Sequence, residues 1–136
     1  MAFVWIDQMS VNVKVIDEQH KYFVSLLNEC YNFVMERKVE SVVNVSLIKI
    51  RDFALIHFAT EEKYFDLYQY ENAEEHKKAH KMLVENVEKI MKERQGTTDI
   101  YNLANDLVEL LERWLVDHLE TMDKLYTKCF NEHGLY

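Results

Sequence analysis

Apolar residues of the 136-residue chain recur at alternating spacings of four and three along four segments. This periodicity is typical of amphipathic helices that bury one face. The segments predict helices at about residues 17–37, 42–68, 73–95 and 98–118. A short helix is expected to follow at about 121–130, whereas residues 1–16 lack a helical period and predict an extended N-terminal arm.

The links between these segments are only a few residues long, so consecutive helices should lie side by side and antiparallel. The chain has no proline and only two glycines, and it therefore lacks the turn residues of a protein built from many short strands. Apolar residues make up 49% of the sequence, enough for one core. We predict a single all-α domain over residues 1–136, an up-down-up-down antiparallel four-helix bundle.

The charge of the chain restricts its partners. A net charge of −8 argues against nucleic acid and against an anionic membrane surface, because both attract basic faces. No apolar run approaches the ~18 residues that span a bilayer, and the first residues lack the basic region of a signal peptide. We therefore expect a cytoplasmic protein without membrane insertion. Cys30 and Cys129 are expected to be buried, reduced thiols, with a disulfide as the alternative in an oxidising compartment.

Five of the six histidines occupy inward positions of the predicted helices, where apolar residues otherwise recur. A single buried histidine is ordinarily satisfied by a hydrogen bond. Five of them beside a carboxylate are harder to accommodate, because each unpaired buried polar group costs about 1–3 kcal/mol. A metal ion satisfies several such groups at once, since imidazole and carboxylate are both good ligands. The sixth, His133, is expected in a solvated tail.

The spacings of these residues suit a shared site. Two pairs are four residues apart and so project from one helix face: His57 with Glu61, and His76 with His80. His118 and Asp123 are five apart, which places them off a common face of a regular helix. We therefore predict that the fourth helix ends or distorts between Leu119 and Asp123, so that Asp123 turns back inward.

The number of donors indicates two metal ions. Five imidazoles and two carboxylates exceed the four ligands of tetrahedral zinc. Two ions about 3.5–4 Å apart, with both carboxylates bridging, would accommodate them. One ion would then have fewer protein ligands and an open position. The ligand types alone leave iron, zinc, copper and nickel open.

Four short motifs follow one another along the chain: the lone histidine of "IDEQHK", then "HFATE", "HKKAH" and "HLETMD". In this order they resemble the hemerythrin family, and most closely the single-domain bacteriohemerythrins. The likeness extends to "VWIDQMSVNVKVIDEQH" near the start and to "WLVDH" before the last motif. All seven metal-ligand positions of the family are filled, here by His20, His57, Glu61, His76, His80, His118 and Asp123.

The resemblance implies a non-haem di-iron centre. The implied ligands of one iron are His76, His80 and His118; those of the other, which keeps a vacant position, are His20 and His57. Glu61 and Asp123 would bridge the two ions together with an oxo or hydroxo group. The implied function is reversible O2 binding at the vacant iron, without enzymatic turnover.

Three apolar residues near the motifs are candidates for the wall of an O2 pocket. Phe58 follows His57 directly, whereas Trp114 and Leu115 precede His118 by four and three residues. A peroxide-level ligand has to be kept from water and from a second reductant, which such side chains would achieve. The alternative for all three is ordinary core packing.

Several functions are compatible with a di-iron bundle. Reversible O2 binding would serve carriage, storage, supply or sensing, with a redox partner or an O2-consuming enzyme as a possible associate. The alternatives are a di-iron oxidase, a peroxidase or a nitric-oxide-handling enzyme, and iron storage or detoxification. Ferritin-like di-iron proteins use Glu-x-x-His pairs, which this chain lacks. Storage would predict loading far above about two metals per chain.

Overall fold

The computed structural model describes residues 3–96 and 99–136, which form helices joined by short links. The α-helices are α1 (Lys14–Met35), α2 (Val39–Ser41), α3 (Leu47–Leu67), α4 (Ala73–Gly96), α5 (Ile100–Trp114) and α6 (Thr127–Glu132). One π-helical turn, Val42–Ser46, joins α2 to α3, and another, Leu115–Leu119, continues α5. Two 3-10 turns complete the chain, at Asp7–Met9 and Met122–Tyr126.

The long helices pack in a ring. Helix α1 contacts α3 and α5, and α4 contacts the same two helices from the opposite side. Each long helix therefore has two neighbours, as short links between antiparallel helices require. This arrangement confirms the predicted all-α four-helix bundle.

The core follows from the apolar stripe of each helix. On α5, for example, Leu103, Leu107 and Leu111 recur every four residues and are all buried. Most buried apolar residues form one large cluster between the four helices. A smaller cluster lies where the arm meets the C-terminal turns: Val11, Val13, Ile16, Phe65, Tyr70, Tyr126 and Phe130. Ring contacts from both clusters reach the histidines, so the polar residues lie between two apolar layers.

Two long helices end without glycine. Arg37 and Gln69 adopt the left-handed region, with φ of 60° and 50°. The next residue then bonds back to the last helical turn, from Lys38 N to Phe33 O at 2.7 Å and from Tyr70 N to Phe65 O at 2.9 Å. These are Schellman endings, which satisfy carbonyl groups that the helix leaves free. The chain thus turns sharply without the residue that usually marks such turns.

The N-terminal arm is shorter than the sequence indicates, because α1 begins at Lys14 and not at about residue 17. Asp17 lies in the first turn of α1 and accepts bonds from Val11 N at 2.8 Å and Ser10 Oγ at 2.5 Å. The positive, N-terminal end of the helix dipole also favours a carboxylate at this position. Nearer the start of the arm, the backbone N–H of Phe3 donates to Asn28 Oδ1, and Asn28 Nδ2 donates to the Phe3 carbonyl, both at 2.7 Å. These two hydrogen bonds fix the arm to α1.

The fourth long helix is distorted where the sequence requires it. Glu120 N bonds to Leu115 O, the wide spacing of a π turn, and Thr121 then leaves the helix with φ −121° and ψ −68°. The predicted break before Asp123 is confirmed, although the irregular stretch begins earlier, at Leu115. The C-terminal α-helix starts only at Thr127, whereas it was expected from about 121. The expected start of the fourth helix at 98 lies outside the described residues.

Both cysteines are free thiols. Cys30 is fully buried, and this burial raises its pKa to about 11. Cys129 is only half-buried, so the expectation of a buried thiol is confirmed for Cys30 alone. Among residues 3–96 and 99–136, no helix combines the length and apolarity that crossing a bilayer would require.

The core analysis gives a stability prediction. Leu107 on α5 is 0% exposed, and we expect Leu107→Ala to lower the free energy of unfolding by about 2–5 kcal/mol through lost burial and a residual cavity. Leu55 on α3 is 51% exposed, so Leu55→Ala is a matched control that should change stability by less than about 0.5 kcal/mol. Urea unfolding followed by circular dichroism measures both, and equal losses would contradict this description of the core.

Candidate metal centre

Seven polar side chains meet inside the bundle, each at most 4% exposed: His20, His57, Glu61, His76, His80, His118 and Asp123. They are the seven residues that the sequence motifs single out. Helix α1 supplies one, α3 and α4 supply two each, and the irregular end of the fourth helix supplies the last two. Buried polar groups in such number indicate a site and not ordinary packing.

Local structure aims these side chains at one point. Each pair on α3 and α4 is one helical turn apart, which stacks its members on the inner face. His118 lies in the π turn, and Asp123 lies in the 3-10 turn that follows the break. The break brings Asp123 Oδ1 within 2.9 Å of His118 Nε2, a contact that a regular helix would not allow.

The cluster consists of two overlapping sets of possible metal ligands. In each set, one donor atom from every residue lies within 4.8 Å of the others. The larger set is Glu61, His76, His80, His118 and Asp123; the smaller is His20, His57, Glu61 and Asp123. Both carboxylates belong to both sets, so each is placed to bridge two ions.

Asp123 divides its oxygens between the two sets. Its Oδ1 lies 2.8 Å from His76 Nε2, on the side of the larger set. Its Oδ2 lies 3.0 Å from His20 Nε2, on the side of the smaller set. A carboxylate in this position can offer one oxygen to each of two neighbouring ions.

Glu61 also contacts both sets. Its Oε1 lies 2.9 Å from His57 Nε2 and 3.2 Å from His80 Nε2. Its Oε2 is 4.0 Å from His76 Nε2. Glu61 therefore lies between donors of α3 and α4 in the middle of the bundle.

The donor set fits metal ions. All four oxygens of Glu61 and Asp123 are buried, and none has a partner in hydrogen-bond geometry among the described residues, although imidazole nitrogens lie close by. Imidazole nitrogens also face one another, His20 to His57 at 3.2 Å and His76 Nε2 to His118 Nε2 at 3.1 Å. Buried anionic oxygens without donors are costly, and a cation would neutralise them. Imidazole nitrogens this close together can bind the same cation.

The carboxylates are ionised within this cluster. Burial raises the pKa of Glu61 and the Asp123 charge raises it further, but His57 and His80 more than offset both and lower it to about 2. Burial likewise raises the pKa of Asp123, yet its contacts with His118, His20 and His76 bring it well below the usual range. Two buried negative charges are thus available to neutralise bound cations.

Two residues around the cluster were not predicted from the sequence. Gln19 Oε1 lies 2.7 Å from Nδ1 of His57, and Glu62 Oε2 lies 2.9 Å from Nδ1 of His80. Outer partners of this kind orient metal-binding imidazoles. Gln19 and Glu62 are each adjacent in sequence to a motif residue. The sequence alone, however, does not distinguish a polar residue that contacts an imidazole from one that faces solvent.

Tyr126 is a third residue that sequence reasoning missed. Its hydroxyl is buried and has no hydrogen-bond partner among the described residues. Burial raises its pKa well above the usual value, and the charges of Glu61 and Asp123 raise it further, so the phenol stays neutral. Its position three residues after Asp123 was the available signal, because residues three apart share a face of a 3-10 turn.

Aromatic rings cover the cluster. Phe58 stacks on His80 with ring centroids 3.9 Å apart, and Trp114 stacks on His118 at 4.5 Å. Phe58 and Trp114 are 5.6 Å apart, and buried Leu115 belongs to the same apolar cluster. The three pocket candidates thus lie in the layer beside the histidines, where Phe53, 5.1 Å from His57, joins them. Their role in an O2 pocket stays a prediction.

His133 lies apart from the cluster, as expected for a tail residue. It is exposed, stacks on Tyr68 at 4.5 Å and bonds through Nδ1 to the Cys129 carbonyl at 2.8 Å. It therefore serves as a natural comparison for the five buried histidines.

Fold and site together define a class of protein, the helical bundle with a buried histidine–carboxylate metal centre. Residues 11–129 match the family profile described as the hemerythrin HHE cation binding domain. The chain belongs to the hemerythrin family, as its motifs predicted.

Individual relatives agree with this assignment. The chain is 29% identical over 123 residues to a bacteriohemerythrin of Pseudomonas aeruginosa (strain LESB58), covering 90% of this chain and 78% of the relative. It is 27% identical over 131 residues to a bacteriohemerythrin of Stenotrophomonas maltophilia (strain R551-3), covering 96% and 82%. The crystal structure of a hemerythrin leucine-to-alanine mutant has the same fold, with a TM-score of 0.79, 24% identity and coverage of 95% and 98%.

The site geometry predicts that His57 contributes to metal retention. His57→Ala removes one nitrogen from the smaller ligand set and leaves Glu61 with one neighbour fewer. We expect the purified variant to contain less metal and to unfold at a lower temperature, because metal binding and folding are coupled. Elemental analysis and calorimetry measure the two effects. His133→Ala is the control, and a His57 variant with the same metal content as this control would contradict the prediction.

Proposed function

We propose that this protein binds O2 reversibly at a non-haem di-iron centre. The observation that supports this most strongly is the pair of overlapping ligand sets that share both carboxylates. Membership of the hemerythrin family favours iron among the metals that this donor set suits. In the proposal, His76, His80 and His118 would hold one iron and His20 and His57 the other. Glu61 and Asp123, shared by both ligand sets, would bridge them together with an oxo or hydroxo group.

An asymmetry between the two positions favours binding of an external ligand. The larger set contains five residues and the smaller contains four, of which two are shared. The position of His20 and His57 therefore has fewer protein donors of its own. A metal site that binds an external molecule requires such an open position.

The iron pair would supply electrons and an open coordination position for O2, and the protein would supply the surroundings. Phe58 and Trp114 place aromatic rings against two of the histidines and exclude water from that side. Buried Leu115 adds an aliphatic side chain to the same apolar layer. Exclusion of water and of external proton donors favours release of the ligand intact.

Tyr126 is placed to hold a proton close to the bridging carboxylates. The raised pKa of its phenol keeps the proton on Oη, and Glu61 and Asp123 lie near enough for their charges to raise that pKa. A neutral donor beside anionic oxygens stabilises them without adding a charge. We propose that Tyr126 steadies the carboxylates in this way and takes no other part.

The family consists of oxygen-binding proteins rather than enzymes, which supports binding over turnover. We further propose a cytoplasmic location, in keeping with two free thiols. A redox partner that re-reduces oxidised iron, or an enzyme that consumes the released O2, belongs to the same proposal. The O2 bound would serve carriage, storage, supply or sensing.

A gas-exchange experiment tests the proposal. The reduced, iron-loaded protein is exposed to air, flushed with argon and exposed to air again while its absorption spectrum is recorded. We expect a coloured oxygenated form that bleaches under argon and returns under air over several cycles. Metal analysis of the same sample should give about two irons per chain, the number that a bridged two-metal site holds.

Three outcomes would contradict reversible binding. Colour that fails to bleach under argon would indicate irreversible oxidation. Steady O2 consumption in the presence of a reductant, beyond slow autoxidation, would indicate an enzyme. Iron loading far above two per chain would indicate a store. The His57→Ala variant serves as the control that should form little of the coloured species.

The apolar layer gives a separate prediction. Leu115 is 3% exposed, and we expect Leu115→Asn to shorten the lifetime of the oxygenated form, because a polar side chain admits water to the site. Val116, the next residue in the same π turn, is 54% exposed and gives the matched control Val116→Asn. Decay of the oxygenated absorption in air measures the rates. Equal lifetimes for both variants would return Leu115 to ordinary core packing.

A further inference from the structure

Two of the five clustered imidazoles have a side-chain partner on the nitrogen that faces away from the site. His57 Nδ1 lies 2.7 Å from Gln19 Oε1, and His80 Nδ1 lies 2.9 Å from Glu62 Oε2. The corresponding nitrogens of His20 and His76 have no partner among the described residues. One anchored imidazole therefore belongs to each half of the centre, and its anchor is a neutral amide in one half and a carboxylate in the other.

The orientation of the Gln19 amide follows from its hydrogen bonds. The Thr60 hydroxyl donates to the Ile56 carbonyl at 3.0 Å, because a carbonyl oxygen can only accept. Thr60 Oγ1 is then free to accept, and Gln19 Nε2 donates to it at 3.0 Å. The amide nitrogen thus faces Thr60, which turns the amide oxygen toward His57.

This orientation places a proton on Nδ1 of His57. An amide oxygen carries no proton, so the 2.7 Å contact requires a proton on His57 Nδ1. Nε2 of the same ring faces into the cluster, 2.9 Å from Glu61 Oε1 and 3.2 Å from His20 Nε2. With a proton held on Nδ1, Nε2 is the nitrogen left to bind a metal ion. This is the form of imidazole that binds a metal ion.

We propose that Gln19 is a positioning residue that holds His57 in its metal-binding tautomer and orientation. It does so through a series of hydrogen bonds that runs from Ile56 through Thr60 and Gln19 to His57. The consequence for iron rests on the proposed di-iron function, whereas the proton on Nδ1 follows from the contact with the amide oxygen alone. The series links α1 to α3, so it also fixes the distance between the helices that supply the smaller ligand set.

The surroundings of Gln19 explain why an amide held by two hydrogen bonds is needed there. Gln19 and His57 line a groove of about 820 Å³ on the face between α1 and α3, together with Tyr22, Phe53 and Ile56. This groove brings solvent close to His57. Water in place of Gln19 could donate to or accept from Nδ1, and would leave the ring free to adopt either tautomer. An amide fixed by Thr60 offers only its oxygen.

The first test measures iron retention in the full-length, iron-loaded protein, as iron transferred to a competing chelator. Removal of an outer partner of a metal-binding histidine typically lowers metal affinity about 10–100-fold, and we expect Gln19→Leu to fall in this range. Gln19→Glu keeps an acceptor toward His57 and should retain iron close to the wild-type level. Gln8→Leu, the same change at an exposed position, is the control and should leave retention unchanged.

Thr60→Val provides an independent variant. It leaves Gln19 and His57 intact and removes only the hydroxyl that orients the amide, so retention should fall between wild type and Gln19→Leu. If Gln19→Leu does not fold, this variant decides the question, since unchanged retention in it would overturn the proposal. Gln19→Glu that loses as much iron as Gln19→Leu would also overturn it, because side-chain size and not the acceptor would then matter.

The second test reads the tautomer directly and does not depend on O2 binding. Nitrogen-15 NMR of the full-length chain loaded with zinc should show a slowly exchanging proton on His57 Nδ1 in the wild type. This protection should be lost in Gln19→Leu and retained in Gln8→Leu. A wild-type His57 without that proton would overturn the proposal, even if the protein binds O2 reversibly. Failure of the gas-exchange experiment with the proton present would instead count against the proposed function alone.

Discussion

Burial of two carboxylates among five imidazoles is the constraint on which the rest of this structure depends. None of the four carboxylate oxygens has a hydrogen-bond partner among the described residues, and their charges persist because the nearby histidines lower both pKa values. Such an arrangement is unfavourable in an apolar core unless cations complete it. The aromatic layers on either side then serve the site as much as the core, because they keep water from the same charges.

The bundle meets this constraint by combining regular and irregular helix. Regular turns of α3 and α4 suffice for residues four apart, and those helices run without interruption past their ligands. The fourth helix has to bring together two residues five apart, and there the chain changes from α to π and then to 3-10 geometry. Irregular helical turns are frequent at functional sites, where they bring together side chains whose sequence spacing does not match the period of an α-helix.

The sequence predicts the bundle and the cluster because both depend on periodicity, which is local. Polar residues on an apolar stripe, such as His57 and Glu61, are conspicuous, and so is the odd spacing before Asp123. The outer partners are a different matter. Gln19 acts through an orientation set by Thr60, on another helix, and no pattern within α1 distinguishes it from a solvated residue. The early start of α1 was missed for a related reason, since Asp17 stabilises that turn through bonds to the arm.

The distribution of the seven residues has a topological consequence. His20 and Asp123 lie about a hundred residues apart in the chain. The other five lie between them, on α3, on α4 and in the π turn that continues α5. Any ion shared by these side chains joins distant parts of the folded chain at one point, and because the site is assembled only on folding, the binding free energy stabilises the folded state. A protein whose two thiols are both free would thus obtain, from coordination, the covalent-like restraint that small secreted domains obtain from disulfides.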